Sequence, residues 1–438
     1  MAIDIGLVIS PPRGAYMFLS IIRGRRPVAV AGLVAVCSFP VAAQDALQNA
    51  VREDNAYQAR QTAANTQPGG WKLGPVRVAS VASFNIELND NIRNSEHKDG
   101  DLILRPEMHF NGVWPVTDRS RLSFGIGFGY RKYLEHSELS RGYVSPNALE
   151  ELAFDFSVKD FFVSLYDRFS YSQEVVGEAS VSGVATLPRF DNIIGTRVTW
   201  RPGQGFISLG YAHQNVISTA RANSYLDRAS EQVFLRAGYQ FNPEVTAGLE
   251  GSAALSDYAD EAQRDNVNVS VGPYVEWKPL AWLSMNVRGG YVYYQFAGTN
   301  SADHPKPLGS YYVGMGVTHQ ITAHVAHTLS ANHGISVSLN QGSDYSESSD
   351  FNYSVSWAVR KNTSVSGNVS YTIGNQPGVG QFGSTEDYQS FNFGPSVQQQ
   401  FTRKFSGSLA YYFTLRESNL PGSSYDNNRV VLTARYAF

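Results

Sequence analysis

One cysteine is present in 438 residues, Cys37. A chain without thiols beyond that point suits passage through an oxidising compartment, although many cytosolic chains lack cysteine as well. Charge is scarce: Asp, Glu, Lys and Arg make up 17% of the chain and leave a net charge of −3. No basic excess marks a nucleic-acid partner. After the N-terminal region no apolar run approaches the ~20 residues that a membrane-crossing helix needs. A membrane-embedded form would therefore be a closed barrel. No Walker loop, zinc spacing, GxSxG or EF-hand pattern occurs. An enzyme is the least supported class, and no catalytic residue, metal site or cofactor is expected.

What the chain has instead is aromatics (13%, with 25 Tyr and 24 Phe) and 39 glycines. Its N-terminal region reads as a secretory leader. Arg23, Arg25 and Arg26 form a basic stretch, Val28 to Val36 an apolar one, and Val41-Ala42-Ala43 a small-residue cleavage site before Gln44. Residues 1–43 are therefore expected to be a signal peptide, with Met17 an alternative start. The apolar run is too short for an anchor, and Val36 before Cys37 argues against a lipoprotein. Residues 44–73 are polar. Asp45 to Arg60 could form a short helix that Pro68-Gly69-Gly70 breaks, but a periplasmic lead-in without fixed structure is the preferred reading.

From Gly74 onward, apolar residues alternate with polar or small ones, the period of a β-strand. In 121–134, Leu122, Phe124, Ile126, Phe128 and Tyr130 alternate with Ser123, Gly125, Gly127, Gly129 and Arg131. Eighteen such runs are present: 74–92, 101–116, 121–134, 149–158, 161–172, 190–200, 205–216, 229–241, 244–257, 266–278, 281–298, 309–320, 324–341, 347–360, 363–374, 386–400, 404–417 and 427–438. Short turns such as Lys159-Asp160, Asn242-Pro243, Pro279-Leu280 and Lys361-Asn362 alternate with longer polar loops such as 135–148, 173–189, 217–228 and 299–308. Short turns at one end and long loops at the other are the outer-membrane arrangement. The expected fold is an all-β transmembrane antiparallel barrel over 74–438, of about eighteen strands, with sixteen as the alternative.

A soluble β-sandwich also alternates, but its strands are shorter, about 5–6 residues. The C-terminus separates the two further. Val430, Leu432, Ala434, Tyr436 and Phe438 share one face and end the chain on an aromatic. This strand resembles the C-terminal signal of outer-membrane proteins, which implies recognition by the barrel-assembly machinery.

With the apolar face toward outer-membrane lipid, the other face lines the lumen. It carries Arg77, Arg105, Arg131, Arg168, Arg197, Arg236, Arg288, Arg360, Arg416, Arg429 and Arg435 against Glu87, Glu107, Glu151, Asp155, Glu250 and Glu276. The arginine excess would bias a channel toward anions, while paired and solvated wall charges would not. Inward aromatics Tyr133, Tyr166, Phe234, Tyr274 and Tyr412 could stack on sugars or simply pack. Resemblance to general porins implies that loop 173–189 folds inward as a constriction, with Glu174 and Glu178 facing wall arginines. An outward course fits the sequence equally well. His319, His324, His327 and His333 crowd two strands, but on a parity that places His327 and His333 outward unless a bulge intervenes. They are expected to be structural.

Asn89-Asp90-Asn91-Ile92 and Gly100-Asp101-Leu102-Ile103-Leu104-Arg105-Pro106 resemble the β-barrel porin-2 family, specifically over about residues 76–116. The resemblance implies an outer-membrane barrel, often associated with exopolysaccharide loci, and supplies no catalytic residues. Three readings follow. The first is a porin-like channel for passive or weakly selective passage of small hydrophilic solutes or saccharides. The second is an accessory or exit pore for exopolysaccharide. The third is a structural barrel with a closed lumen. A homo-oligomer is compatible with each, although no segment marks an interface.

Overall fold

The computed structural model describes residues 70–144, 151–172, 179–297, 307–379 and 383–438. It also describes Ala46, Leu47, Asn49, Ala50, Arg52, Glu53, Ala56, Tyr57 and Arg60. The expected leader, residues 1–43, lies outside the described residues, as do Glu174 and Glu178.

Eighteen strands form the wall. They are β1 (Val76–Asn89), β2 (Asp101–Thr117), β3 (Ser120–Tyr133), β4 (Leu152–Val158), β5 (Phe161–Ser172) and β6 (Arg189–Trp200). Next come β7 (Gly205–Ser218), β8 (Arg228–Gln240), β9 (Val245–Tyr258), β10 (Asn266–Leu280), β11 (Leu283–Phe296) and β12 (Leu308–Thr322). The last are β13 (Val325–Val337), β14 (Tyr345–Arg360), β15 (Thr363–Gln376), β16 (Glu386–Gln400), β17 (Phe405–Ser418) and β18 (Tyr425–Ala437). Sequential strands pair antiparallel, and β18 closes the ring on β1 from Val81↔Ala437 to Asn89↔Arg429. Closure removes the free edges that an open sheet would leave.

The polarity is the reverse of a soluble core. On β10 the outward Val267, Val269 and Val271 are 42, 46 and 58% exposed, whereas the inward Asn266, Asn268 and Ser270 are 4, 2 and 2% exposed. A solvated surface of such apolar strands would be an aggregation site; against lipid it is the stable arrangement. Inward hydroxyls satisfy one another across strands, as Ser252 and Ser270 do at 2.7 Å. Eight turns of two to four residues gather at one end and the longer connections at the other. Outward aromatics ring the turn end, with Phe161 stacked on Trp200 at 6.1 Å and Tyr436 edge-on to Phe438 at 5.0 Å.

Three local features depart from the pattern in the sequence. The turn expected at Pro279-Leu280 falls two residues later, at 281–282, and the β10–β11 ladder shifts between Trp277 and Leu280. Proline has no N–H for the ladder, so it sits where pairing is broken. The wall position next to β3 is split. Arg141–Val144 pairs with Phe128–Arg131 of β3, and β4 pairs lower on the same strand at Ser120–Phe124. Three β3 residues, 125–127, lie between the two pairings, and the Gly125 N–H bonds the Glu151 carbonyl at 2.9 Å. The expected loop 135–148 thus returns to the wall at Arg141, and the expected strand start at 149 moves to Leu152. The third departure lies before the barrel. Trp71–Leu73 folds back on Val76–Val78 through Gly74, whose φ of +62° is costly for residues with a Cβ.

Candidate functional site

The barrel interior is the candidate site. Eighteen strands at the usual spacing and tilt close a cylinder roughly 35 Å across between backbones, or about 25 Å inside the side chains.

One side of that bore is covered by the segment before the barrel. Where a periplasmic lead-in was expected, every described residue of 46–60 is helical. Ala46, Asn49, Ala50, Glu53, Ala56 and Arg60 are all 7% exposed or less. Steps of three and four keep them on one helix face, and three of them are alanines, which allow close approach to a wall. Asn49 Nδ2 donates to Gln232 on β8 at 2.6 Å and to Gln214 on β7 at 3.3 Å. Both acceptors are inward residues in the loop-end half of their strands. Eleven residues on, Arg60 meets β4 and β5 near the turn end. The helix therefore descends along the inner wall. Ala153, Tyr166, Ile193 and Ala212, on β4 to β7 between the two anchors, form a small buried apolar cluster.

The lower anchor is a charge cluster. Arg60 Nη2 lies 2.9 Å from Glu53, and Arg60 Nε lies 3.2 Å from Asp155. Nη1 bonds Glu151, and Nη2 donates to Ser164 at 3.1 Å. Arg168 Nη2 joins from β5, 2.8 Å from Glu151 and 3.2 Å from Glu53. A buried ion is tolerated only when its hydrogen-bonding capacity is filled in this way. Three carboxylates against two guanidiniums leave one formal negative charge. Such a cluster favours an extra proton. Burial and the neighbouring Glu151 push the Glu53 carboxyl above its ordinary value, against the pull of Arg60 and Arg168.

The adjoining wall, β18 through β3, has the opposite balance. Glu87 on β1 lies 3.5 Å from Arg105 and 3.8 Å from Arg429. Arg131 lies over the Tyr143 ring and Arg429 over Tyr412, at 5.9 and 5.0 Å. Glu107 accepts from Tyr143 and from Ser83, the latter at 2.9 Å. With Arg435 inward on β18, four arginines stand around Glu87 and Glu107, while the buried Asp101 at the loop end of β2 accepts from the backbone N–H groups of Leu134, Glu135 and His136.

The loop-end mouth is crossed by residues 179–188. Arg416 Nε on β17 donates to the Ala179 carbonyl at 2.8 Å, and Gln376 Nε2 on β15 donates to the Ser180 carbonyl at 2.9 Å. Asn340 Nδ2 also reaches Ser180, at 2.7 Å. Val181 and Leu187 pack with Leu226 from the β7–β8 connection. This segment leaves from between β5 and β6 and is held on the far side of the ring.

The other arginines and acids expected in the lumen divide by role. Arg197 donates to Ser208 at 2.9 Å, and Arg236 pairs with Glu276 at 2.7 Å while lying 3.8 Å from the Tyr274 ring. Glu250 accepts from Tyr312 at 3.4 Å. Arg288 faces inward on β11, and Arg360 is exposed at the turn-end rim. Arg416 differs from the expectation: it is fully buried, paired to Glu386 at 2.8 Å, and it fastens the mouth segment rather than lining open space.

Most of the inward aromatics pave the wall. Tyr133, Tyr166, Phe234 and Tyr274 are each 6% exposed or less. Phe234 lies across Gly210 on the next strand, where a Cβ would come within 1.9 Å of the ring. Tyr166 covers Gly195 and Tyr274 covers Gly238 in the same manner. The glycines make room for the rings, so these rings keep no open face for a sugar.

The histidines lie outward. His319 Nδ1 and His327 Nε2 are 2.8 Å apart, and His333 stacks on Tyr311 at 4.3 Å. The β13–β14 register runs unbroken through His333, so no bulge turns it inward. Among the described residues no group of three or more His, Cys, Asp or Glu is placed to hold a metal ion.

Sequence reading put Glu151, Asp155 and Arg168 in the lumen but missed that they hold Arg60, and it missed Asn49, Gln214 and Gln232 altogether. The available signal was the spacing of Ala46, Asn49, Ala50, Glu53, Ala56 and Arg60.

No protein-family model matches the chain, and no curated protein sequence does. Among solved structures it is similar to Pseudomonas aeruginosa OccK5 (OpdH), at 12% identity over 84% of this chain and 100% of that one, with a TM-score of 0.49. It is also similar to Acinetobacter baumannii OccAB3, at 10% identity over 82% and 99% of the two chains, with a TM-score of 0.47. A third is the outer membrane protein opdK from Pseudomonas aeruginosa, at 10% identity over 82% and 99%, with a TM-score of 0.46.

Proposed function

We propose that this chain is an outer-membrane channel for small hydrophilic solutes, weakly selective for anions. The observation that carries the reading is the reversed polarity of a closed eighteen-strand barrel, apolar toward its surroundings and polar within. A barrel of this width has room for a water-filled path. The outward C-terminal face, with Val430, Leu432, Tyr436 and Phe438 each at least 37% exposed, supports delivery by the barrel-assembly machinery. The leader ending at Ala43 would bring the chain to that machinery. Anion preference rests on Arg105, Arg131, Arg429 and Arg435 outnumbering Glu87 and Glu107 on one wall, in a bore where low-dielectric walls focus the field.

The test is single-channel recording in a planar bilayer under a salt gradient. Discrete steps with an anion-selective reversal potential are expected. Replacing Arg105 and Arg435 with Gln balances that wall, so the potential should move toward zero while the steps persist. Silence from demonstrably folded protein removes the channel reading.

An exopolysaccharide exit pore is the second reading, implied by the resemblance to the β-barrel porin-2 family. The rings that would guide a polymer are sealed against glycines, so the small-solute channel is preferred.

A further inference from the structure

We propose that the described helical residues between Ala46 and Arg60 form a releasable latch inside the lumen, keyed by Arg60 in the pocket formed by Glu151, Asp155 and Ser164. The inference rests on the channel reading and adds its regulation.

Both ends of the helix are fastened by polar side chains rather than by a large apolar core. The upper fastening is the amide cluster of Asn49, Gln214 and Gln232. The lower one is Arg60, whose side chain is 2% exposed and reaches three carboxylates. The amide fastening can be exchanged for water at modest net cost, because each group regains hydrogen bonds on release, so the charged fastening decides which state the helix takes. A helix meant only to stabilise the wall would bury a broad apolar stripe; this one presents alanines, an amide, a carboxylate and a guanidinium, with one aromatic, Tyr57, edge-on to Phe162 at 5.7 Å. Release leaves the strand pairing of β4 to β8 in place. The β4–β8 ladders close without the helix, and Arg168 stays beside Glu151. The latch therefore narrows the bore while docked and can leave it without unfolding the wall. A helix about 10–12 Å wide takes a substantial share of a bore of about 25 Å already crossed at its mouth.

The test uses the full chain with Cys37→Ser, which removes the only native thiol. Asn49→Cys and Gln232→Cys, joined through a short bis-methanethiosulfonate, then create a reducible disulfide lock at the upper fastening, where the native amide tips are 2.6 Å apart. Heat-modifiable gel mobility verifies the folded barrel in every variant. Wild-type channels are expected to switch between two conductance levels differing by about twofold, set by the cross-section the helix occupies. The cross-linked form should stay in the lower level, and reduction should restore the upper one. Arg60→Ala, which needs no disulfide, should shift occupancy to the upper level. Equal conductance in the cross-linked, reduced and Arg60→Ala proteins overturns the latch and leaves the channel standing. Failure of the two cysteines to cross-link in folded barrels also overturns it. Silence in all of these forms, including Arg60→Ala, overturns both readings.

Discussion

Two neighbouring stretches of the inner wall use the same side chains for different ends. On β4 and β5 the charges are saturated: Arg60 and Arg168 share Glu53, Glu151 and Asp155, and Arg60 is nearly without solvent contact. On β18 to β3, four arginines share two carboxylates at longer distances, with Arg105 and Arg429 at 3.5 and 3.8 Å from Glu87. A saturated buried cluster fixes a position, because removing one member strands the rest. The second cluster is also largely buried, with Arg131 8% and Glu87 4% exposed, but its excess of positive charge sets a potential in the bore. The first wall is built to hold a piece of protein, and the second to influence what passes.

The largest expected difference comes from cutting one arginine on each side. Arg60→Ala leaves Glu53, Glu151 and Asp155 with only Arg168. Breaking a buried ion pair in place costs about 3–5 kcal/mol; here the helix can escape that cost by leaving the wall. The expected outcome is a change in conductance level with little change in ion selectivity. Arg429→Ala on the second wall should do the converse, moving the reversal potential and leaving the level unchanged. Planar-bilayer recordings of the two variants side by side decide it. If both variants change the same quantity, the division between holding and steering is wrong.

The sequence made the second wall legible and the first only half so. Period-two alternation put Arg105, Arg131, Arg429 and Arg435 inward because each falls on the parity opposite the outward apolar residues of its strand. The strand count followed from the same alternation and from turns such as Lys159-Asp160. Alternation says nothing about a helix lying against the strands from inside. The docking face of 46–60 is Ala, Asn, Glu and Arg, a composition that also describes a solvated lead-in. Its partners, Glu151, Asp155, Gln214 and Gln232, are 91 to 183 residues away in the chain. The split beside β3 was hidden for a related reason: two short pairings along one strand, at 141–144 and from 152, read in sequence as a loop followed by a strand. Arg416 read as a lumen residue because parity places it inward, and only the loop above it accounts for its burial.

A smaller effect concerns the fit of the wall under the helix. At Gly195 an added Cβ would come 2.5 Å from the Tyr166 ring and 2.8 Å from the Tyr211 carbonyl. Tyr166 is itself buried beside the charge cluster, so Gly195→Ala should lower stability by about 1–3 kcal/mol, the usual cost of overpacking. At Gly142, in the strand segment Arg141–Val144 next to the second wall, the nearest atom would be 3.7 Å away. Gly142→Ala should be neutral. The thermal midpoint of the heat-modifiable gel band measures both, and equal midpoints would show that the covered wall is no tighter than the open one.

The smallest effect is a pH dependence confined to the first wall. Glu53 faces Arg60 on its own helix and Glu151, Asp155, Ser164, Tyr166 and Arg168 on β4 and β5. Its carboxyl is held above the ordinary value by burial, with Glu151 adding to the rise and the two arginines opposing it. A carboxyl whose pKa is higher in the docked state than in the released one binds its proton more tightly when docked. Docking is therefore strongest at low pH and weakens as pH rises through the elevated value. The upper conductance level should gain occupancy as pH rises above the ordinary carboxylate range, by no more than about tenfold for each unit of elevation. Glu53→Gln imitates the protonated side chain, so it should flatten the profile and favour the lower level throughout. A profile that falls with rising pH, or one that Glu53→Gln leaves intact, would move the titration away from this helix and onto the carboxylates of the arginine-rich wall.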